Sequence, residues 1–388
     1  MANNFFDKFH QTKLNNISEA NENNNFYVLG IESSANKIGV GILKVLLNEN
    51  TKKENKDSIE ILSNVRATYT PPPGQGVIPV DAAEHHRENI FKLLEKALKE
   101  SCIKMENINL FTYTKGPGMG QLLNVGCTVA RTLACYYKKP LVPVNHCVAH
   151  IEMGRFVTGA INPVVLYASG GNTQIINRNK SQNGSDKYKI FGETLDVAVG
   201  NCFDKIARAL NLDNYPSPGL SIERKARESK LYIKLPYSMK GMDMSFSGIL
   251  STILKLIEEE KEKIYFKETN KLKEEFICSI CYSLQETVFS ILCEATERCL
   301  SYVGSEEVLI VGGVGCNLRL QEMITNLMSQ RKGKVHAMDE RYCIDNGAMI
   351  AYTGYIQWLT QKEQDFYNLS DCTFTQRFRT DSVKITWE

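Results

Sequence analysis

The stretch NHCVAH, residues 145–150, sets His146 and His150 four positions apart in a chain with only six histidines. On a helix, positions i and i+4 lie on one face, so both imidazoles can aim at one point. Two imidazoles make a metal clamp only with a further ligand. The candidate is Asp345 in CIDNGAMIAYTG, at the mouth of an apolar helix, where the plainer job for an Asp is to cap the helix. Two nitrogens and one carboxylate oxygen leave coordination positions open, as a catalytic metal site requires. One divalent ion is expected: zinc or ferrous iron suits the donors, with magnesium the weaker fit. Such a cation can polarise a carbonyl under nucleophilic attack. His85 and His86 in EHHRENI are a second pair, but neighbours on a helix diverge by about 100° and do not readily share an ion. HCVAH also lacks the glutamate of H-E-x-x-H. Glu152, at i+6 from His146, falls off that face, so a zincin-type peptidase has no general base in its expected place.

The elements that must position these residues alternate between strand and helix. VLGIESSANKIGVGILK reads as two strands joined by a polar turn, ENIFKLLEKALKESC as a helix burying Ile90, Leu93, Leu94, Ala97 and Leu98, and Leu122 to Lys138 as a second helix. PVVLYASGGNTQIINR repeats the opening strand–turn–strand, and SEEVLIVGGVGCN echoes YTKGPGMG. The fold class is therefore α/β, built as two duplicated lobes with a cleft between them. The first lobe is expected at 26–160, completed by 346–388, and the second at 161–345. Residues 1–25, polar and Asn-rich, read as a disordered extension, and 49–58 as a solvated hairpin insertion.

Glycine turns follow strands at Gly116–Gly120, Ser169–Asn172 and Gly312–Asn317. Glycines let backbone N–H groups come close to a phosphate, although tight turns use glycine anyway. None of the three fits G-x-x-x-x-G-K-[ST] or G-x-G-x-x-G.

Composition narrows the field. Net charge is +2, so nucleic acid binding has no global electrostatic driving force and needs a local patch or a partner. No uninterrupted apolar run approaches the ~18–20 residues of a membrane span. Twelve cysteines without a signal peptide read as reduced thiols of the cytoplasm or nucleus. Cys278 and Cys281 form a lone C-x-x-C in a long helical pattern, where buried small hydrophobes are the better reading than a zinc knuckle.

Taken together, GIESSANKIGVGI, EHHRENI, TKGPGMG, NHCVAHIEMG, YASGGNTQ, FGETLDVAVGNCFDKIAR, KGMDMSFSGIL, ICYSLQETVF, VGGVGCNLRL and CIDNGAMIAYTG resemble the TsaD/OSGEP family over about 360 residues. DVAVGNCFDK and the tail TQRFRTDSVKITW resemble its archaeal–eukaryotic branch, the catalytic subunit of the KEOPS complex. The resemblance implies an actin-like (ASKHA) fold. It also implies transfer of a threonylcarbamoyl group from threonylcarbamoyl-AMP to the adenosine 3′ of the anticodon in tRNAs reading ANN codons. By motif match His146, His150 and Asp345 hold the metal, with Tyr167 at the edge of its sphere. Tyr167, Ala168, Ser169, Gly170 and Gly171 meet the acyl and phosphate region, and Asp204, Gly219, Glu223 and Asn317 hold the nucleoside. Implied partners are tRNA, a small atypical kinase and a dimerising subunit. Basic stretches that could meet tRNA are Arg224, Lys225, Arg227, Lys230 and Lys234, then Arg331, Lys332 and Lys334, then Arg377 and Arg379. The competing readings are an ATPase or sugar kinase of the same fold, which would hold magnesium through carboxylates and phosphates without imidazoles, then a metal-dependent peptidase, then a non-enzymatic scaffold.

Overall fold

A computed structural model describes residues 25–46, 58–72, 74–179, 186–360 and 369–387. The expected extension at 1–25 and the insertion at 49–58 lie almost wholly outside those residues. The first sheet is built from β1 (Asn25–Glu32), β2 (Lys37–Leu46), β3 (Ser58–Thr68), β4 (Leu110–Gly116) and β5 (Leu141–Asn145), in the order β3-β2-β1-β4-β5. β1 pairs antiparallel with β2 and parallel with β4, and β4 pairs parallel with β5. Helix α1 (Pro79–Ser101) and α2 (Gly120–Tyr137) cover it; α1 starts at Pro79, well before the segment expected from Glu88, and Pro79 sits in the first turn, where a missing N–H costs nothing. β5 runs directly into α3 (His146–Thr158).

The second sheet repeats this wiring. It holds β6 (Val164–Ala168), β7 (Thr173–Asn179) and β8 (Asp186–Glu193). Around it lie α4 (Val199–Ala209), α5 (Pro218–Ala226), the short ribbon of β9 (Met239–Lys240) and β10 (Asp243–Met244), α6 (Ser247–Lys261), α7 (Ile264–Thr269) and α8 (Glu274–Val303). β11 (Glu307–Val311), α9 (Leu318–Gln330) and β12 (Lys334–Ala337) follow, then a turn of helix, α10 (Glu340–Cys343). The order β8-β7-β6-β11-β12 matches β3-β2-β1-β4-β5 strand for strand, with the same parallel and antiparallel pairs. Each parallel neighbour is reached through helices, as a parallel pair requires.

Helix α11 (Gly347–Thr360) packs on the first sheet. Its approach is close enough that a Cβ on Gly41 would lie 2.3 Å from the Ala348 nitrogen, so only glycine fits there. The chain then crosses over: β13 (Lys384–Ile385) pairs with β8 of the second sheet. The expectation that all of 346–388 completes the first lobe therefore has to be redrawn at the last strand.

Between the sheets lies one apolar cluster drawn from both lobes. Val28 and Leu110 come from the first sheet, Val165 and Leu309 from the second, and α3 and α11 supply the middle. Enclosed on all sides, His146 to Gly154 are buried without exception, which is why this helix carries no polar stripe. α8 is long and apolar enough to cross a membrane, a property that a search for uninterrupted apolar runs overlooks. Two thirds (67%) of its most apolar window is buried in the second lobe, where Cys281 fills space as a small hydrophobe while the Cys278 thiol donates toward the Glu228 and Glu274 carboxylates at 3.6 and 3.8 Å.

Candidate metal centre and cleft

Asn145 places the histidines. Its side-chain oxygen accepts from the Val148 N–H at 3.0 Å, capping α3, while its amide donates to the Phe378 carbonyl at 3.0 Å. One turn apart on the buried helix, the His146 and His150 rings stand edge to face, 4.7 Å between centroids. Asp345 reaches them from the segment before α11. It is not the cap of that helix: Asn346 is, accepting from the Met349 N–H at 3.0 Å. With capping done by its neighbour, Asp345 turns Oδ1 to within 3.1 Å of His150 Nε2 and 3.6 Å of His146 Nε2. One ligand atom from each of the three residues lies within 4.8 Å of the other two, a group able to hold a metal ion.

Glu32, at the end of β1, orients the first histidine. Fully buried, it accepts from the Ser34 N–H at 2.6 Å, from the Thr114 hydroxyl at 2.7 Å and from His146 Nδ1 at 3.0 Å. With its proton on Nδ1, His146 presents the lone pair of Nε2 to the carboxylate of Asp345. A proton on Nε2, or a metal cation in its place, would join the two groups across their 3.6 Å separation. Lys37, at the start of β2, brings one positive charge, its ammonium 3.6 Å from Asp345 Oδ2. His150 Nδ1 and the Tyr167 hydroxyl are buried without a hydrogen-bond partner among the described residues, and the Tyr167 ring lies 5.5 Å from that of His150. The donors fit a divalent transition metal. Burial and the charges around Asp345 oppose each other, and Lys37 with the two histidines holds the carboxyl well below its usual range. Burial pulls His146 down, but the Glu32 charge and hydrogen bond leave it raised. In His150, burial prevails over the Asp345 bond and the ring is lowered.

The other expected residues fall into two groups. Ala168 is buried, whereas Gly170 and Gly171 are exposed, and a Cβ on either glycine would touch nothing. Ser169 closes this turn: its N–H donates to the Asn172 carbonyl at 2.8 Å, and its hydroxyl accepts from the Asn172 N–H at 3.1 Å. Further along the second lobe, Glu223 accepts from the Leu318 N–H at 3.3 Å and pairs with Arg227 at 2.5 Å. Asn317 caps α9 through the Arg319 N–H at 2.9 Å and donates to Gln285 at 3.1 Å. Gly219 lies in open space beside them, in the first turn of α5. Asp204 is half-buried on α4, and burial raises its carboxyl to about 6 against the pull of Arg208 and Lys37.

Several residues do other work. His86 is buried, with Nε2 3.0 Å from the Ala35 carbonyl and a lowered pKa of about 4 through burial, so it props the turn beneath His146. His85 touches it at 3.5 Å through the facing ring nitrogens. Glu152 accepts from the Tyr188 hydroxyl at 2.5 Å and from Arg155 at 2.9 Å, engaged far from any substrate role. Of the basic stretches, Lys225 pairs with Glu274 and Glu228, Arg227 with Glu223, Arg331 with Glu297 and Arg379 with Asp381. Arg224, Lys230, Lys234, Lys332, Lys334 and Arg377 are exposed and make no ion pair among the described residues. Glu32, Lys37 and Asn145 escaped the sequence reading. An acid ending an otherwise apolar buried strand, and an Asn immediately before the first histidine, were the available cues.

Two α/β lobes of matched topology, clasping an N,N,O donor set, define an actin-like protein with a candidate metal centre in its cleft. T. kodakarensis HypF shares this fold, with a TM-score of 0.51 at 14% identity, covering 85% of this chain and 47% of that one. The family model described as TsaD: tRNA N6-adenosine threonylcarbamoyltransferase matches residues 60–352. A tRNA N6-adenosine threonylcarbamoyltransferase of Encephalitozoon cuniculi is 55% identical over 359 residues, 92% of this chain and 98% of the relative. One of Xenopus laevis is 51% identical over 360 residues, 93% and 98% respectively, and a probable one of Dictyostelium discoideum is 50% identical over 361, 93% and 99%. The chain belongs to the TsaD family, as the sequence motifs implied.

Proposed function

We propose that the chain moves a threonylcarbamoyl group from threonylcarbamoyl-AMP to the exocyclic amine of the tRNA adenosine 3′ of the anticodon, in tRNAs reading ANN codons. The observation that carries the reading is the convergence of the buried His146 and His150 with the half-buried Asp345 within 4.8 Å, in a chain of this family. A zinc or ferrous ion held there supplies Lewis acidity toward the acyl carbonyl. The remaining work falls to the chain itself. The turn at 169–171 offers exposed glycine backbone to the acyl-phosphate. Asp204, Gly219, Glu223 and Asn317 hold the nucleoside, with a carboxylate accepting from ribose hydroxyls. An adenine amine is a weak nucleophile, so holding it against the acyl carbon accounts for much of the acceleration.

A net charge of +2 gives the chain no global electrostatic pull on tRNA, which suits an enzyme that relies on partners to grip it. We place the chain in a KEOPS-type complex of the cytoplasm and nucleus, with a small atypical kinase and a dimerising subunit. Reconstitution with tRNA and threonylcarbamoyl-AMP, with and without these subunits, tests the reading by the modified nucleoside formed. His146→Ala with His150→Ala should abolish product while the protein stays folded. ATP turnover that survives the double substitution, with no nucleoside product from wild type, would favour the kinase alternative.

A further inference from the structure

An acyl-adenylate has a fixed order of parts: acyl group, phosphate, ribose. Any residue between the group that receives the acyl end and the group that receives the ribose therefore faces the phosphate. Lys37 stands beside Asp345, at the acyl end of that order, with the phosphate as the next group along. Its ammonium lies 3.6 Å from Asp345 Oδ2 and 3.2 Å from Asn36 Oδ1, and its side chain is 23% exposed, so solvent and solutes can reach it. Among the described residues no other Lys or Arg pairs with the carboxylate of Asp345. Lys37 thus stands on the first lobe as a cation beside the carboxylate at the acyl end of the site.

The pairing with Asp345 is loose by the standard of a charged hydrogen bond, which closes to about 2.7–2.9 Å. A divalent cation beside Asp345 neutralises part of the attraction that holds the ammonium there. The four-carbon stem then lets the charge turn toward an incoming anion. We propose that Lys37 binds the phosphate of the acyl-adenylate, and of the AMP that leaves, as a substrate-binding residue distinct from the metal ligands. The assignment rests on an acyl-adenylate being the substrate.

The same contact would exist if Lys37 merely balanced the charge of Asp345, and the two roles separate by experiment. Full-length protein loaded with one equivalent of Zn²⁺ is titrated with AMP and with adenosine by calorimetry, for wild type, Lys37→Met and Lys37→Arg, while Zn²⁺ affinity is measured against a chelating dye. If Lys37 holds the phosphate, wild type prefers AMP to adenosine. Lys37→Met then weakens AMP by about tenfold or more, the loss of one charge-assisted contact. Adenosine affinity stays within about twofold, Zn²⁺ affinity is not reduced, and Lys37→Arg recovers part of the preference. An AMP preference that persists in Lys37→Met overturns the assignment, and a loss of Zn²⁺ affinity alongside it marks the balancing role. Wild-type protein that binds neither AMP nor adenosine overturns the acyl-adenylate reading, and the Lys37 assignment falls with it.

Discussion

The two lobes have the same strand order, yet their turns are not filled alike, and the contrast is sharpest in the turn after the first strand of each. In the first lobe the turns are filled by the chain's own backbone. A Cβ on Gly116 would lie 2.0 Å from the Thr375 carbonyl oxygen, one on Gly118 2.5 Å from that of Ser34, and one on Gly120 2.3 Å from the Gln376 amide. The turn after β1 is likewise occupied, by Glu32 and Ser34 supporting His146. In the second lobe, Gly170, Gly171 and Gly313 face open space, although in the Gly312–Asn317 turn a Cβ on Gly312 would lie 2.4 Å from the Ala168 carbonyl oxygen and one on Gly315 2.8 Å from Ile310. Duplication supplied one scaffold twice, and the tail at 371–378 plugs one copy. The plugged lobe is a pedestal for the metal ligands, and the open lobe is the floor for a ligand. Of the three glycine turns singled out in the sequence, Gly116–Gly120 is therefore a packing device and no phosphate cradle.

The largest effect expected from breaking this division is at the pedestal. His146→Ala with His150→Ala removes two of three ligands, so metal content measured by elemental analysis should fall from about one per chain to none, and nucleoside product with it. Glu32→Gln keeps shape but weakens the hold on the His146 tautomer. Metal affinity should fall about 10–100-fold, read by competition with a chelator; unchanged affinity would remove Glu32 from the account.

Valine at the glycine turns sharpens the comparison. Gly116→Val meets both the tail and a φ of +147°, and should cost about 1–3 kcal/mol or more in urea unfolding. Gly170→Val has room, so stability should move by no more than ~0.5 kcal/mol while AMP binding suffers. Equal stability losses at the two sites would erase the distinction between a plugged and an open turn.

The smallest effect is a titration. Burial raises the Asp204 carboxyl to about 6, against an ordinary 3.8. Below that pH the group is protonated and accepts ribose hydroxyls less well. Adenosine affinity should therefore be highest above pH 6 and fall as pH drops through it, and Asp204→Asn should flatten the profile.

The ligand set was legible because helical geometry and donor chemistry restrict what HCVAH can do, and because CIDNG offers an acid at a helix mouth. What remained hidden depends on tertiary contact. Whether Asp345 or Asn346 caps α11 is decided by one backbone step. Glu32 becomes a partner of His146 only when residues 114 positions apart meet. The lobe duplication was readable from paired openings, VLGIESSANK and VVLYASGGN, since alternating strand–turn patterns are local. The return of β13 to the second sheet was not, because two residues of edge strand carry no period. Asn317 and Glu223 show the same limit: their spacing reveals neither the cap nor the bond to the Leu318 N–H that brings them together.

X-ray absorption spectroscopy on the zinc- or iron-loaded full-length protein tests the central claim most directly. The account predicts a first shell of nitrogen and oxygen, with the outer-shell scattering of two imidazoles, reduced when His146 or His150 is replaced. A shell of oxygen alone, or one containing sulfur, would contradict it.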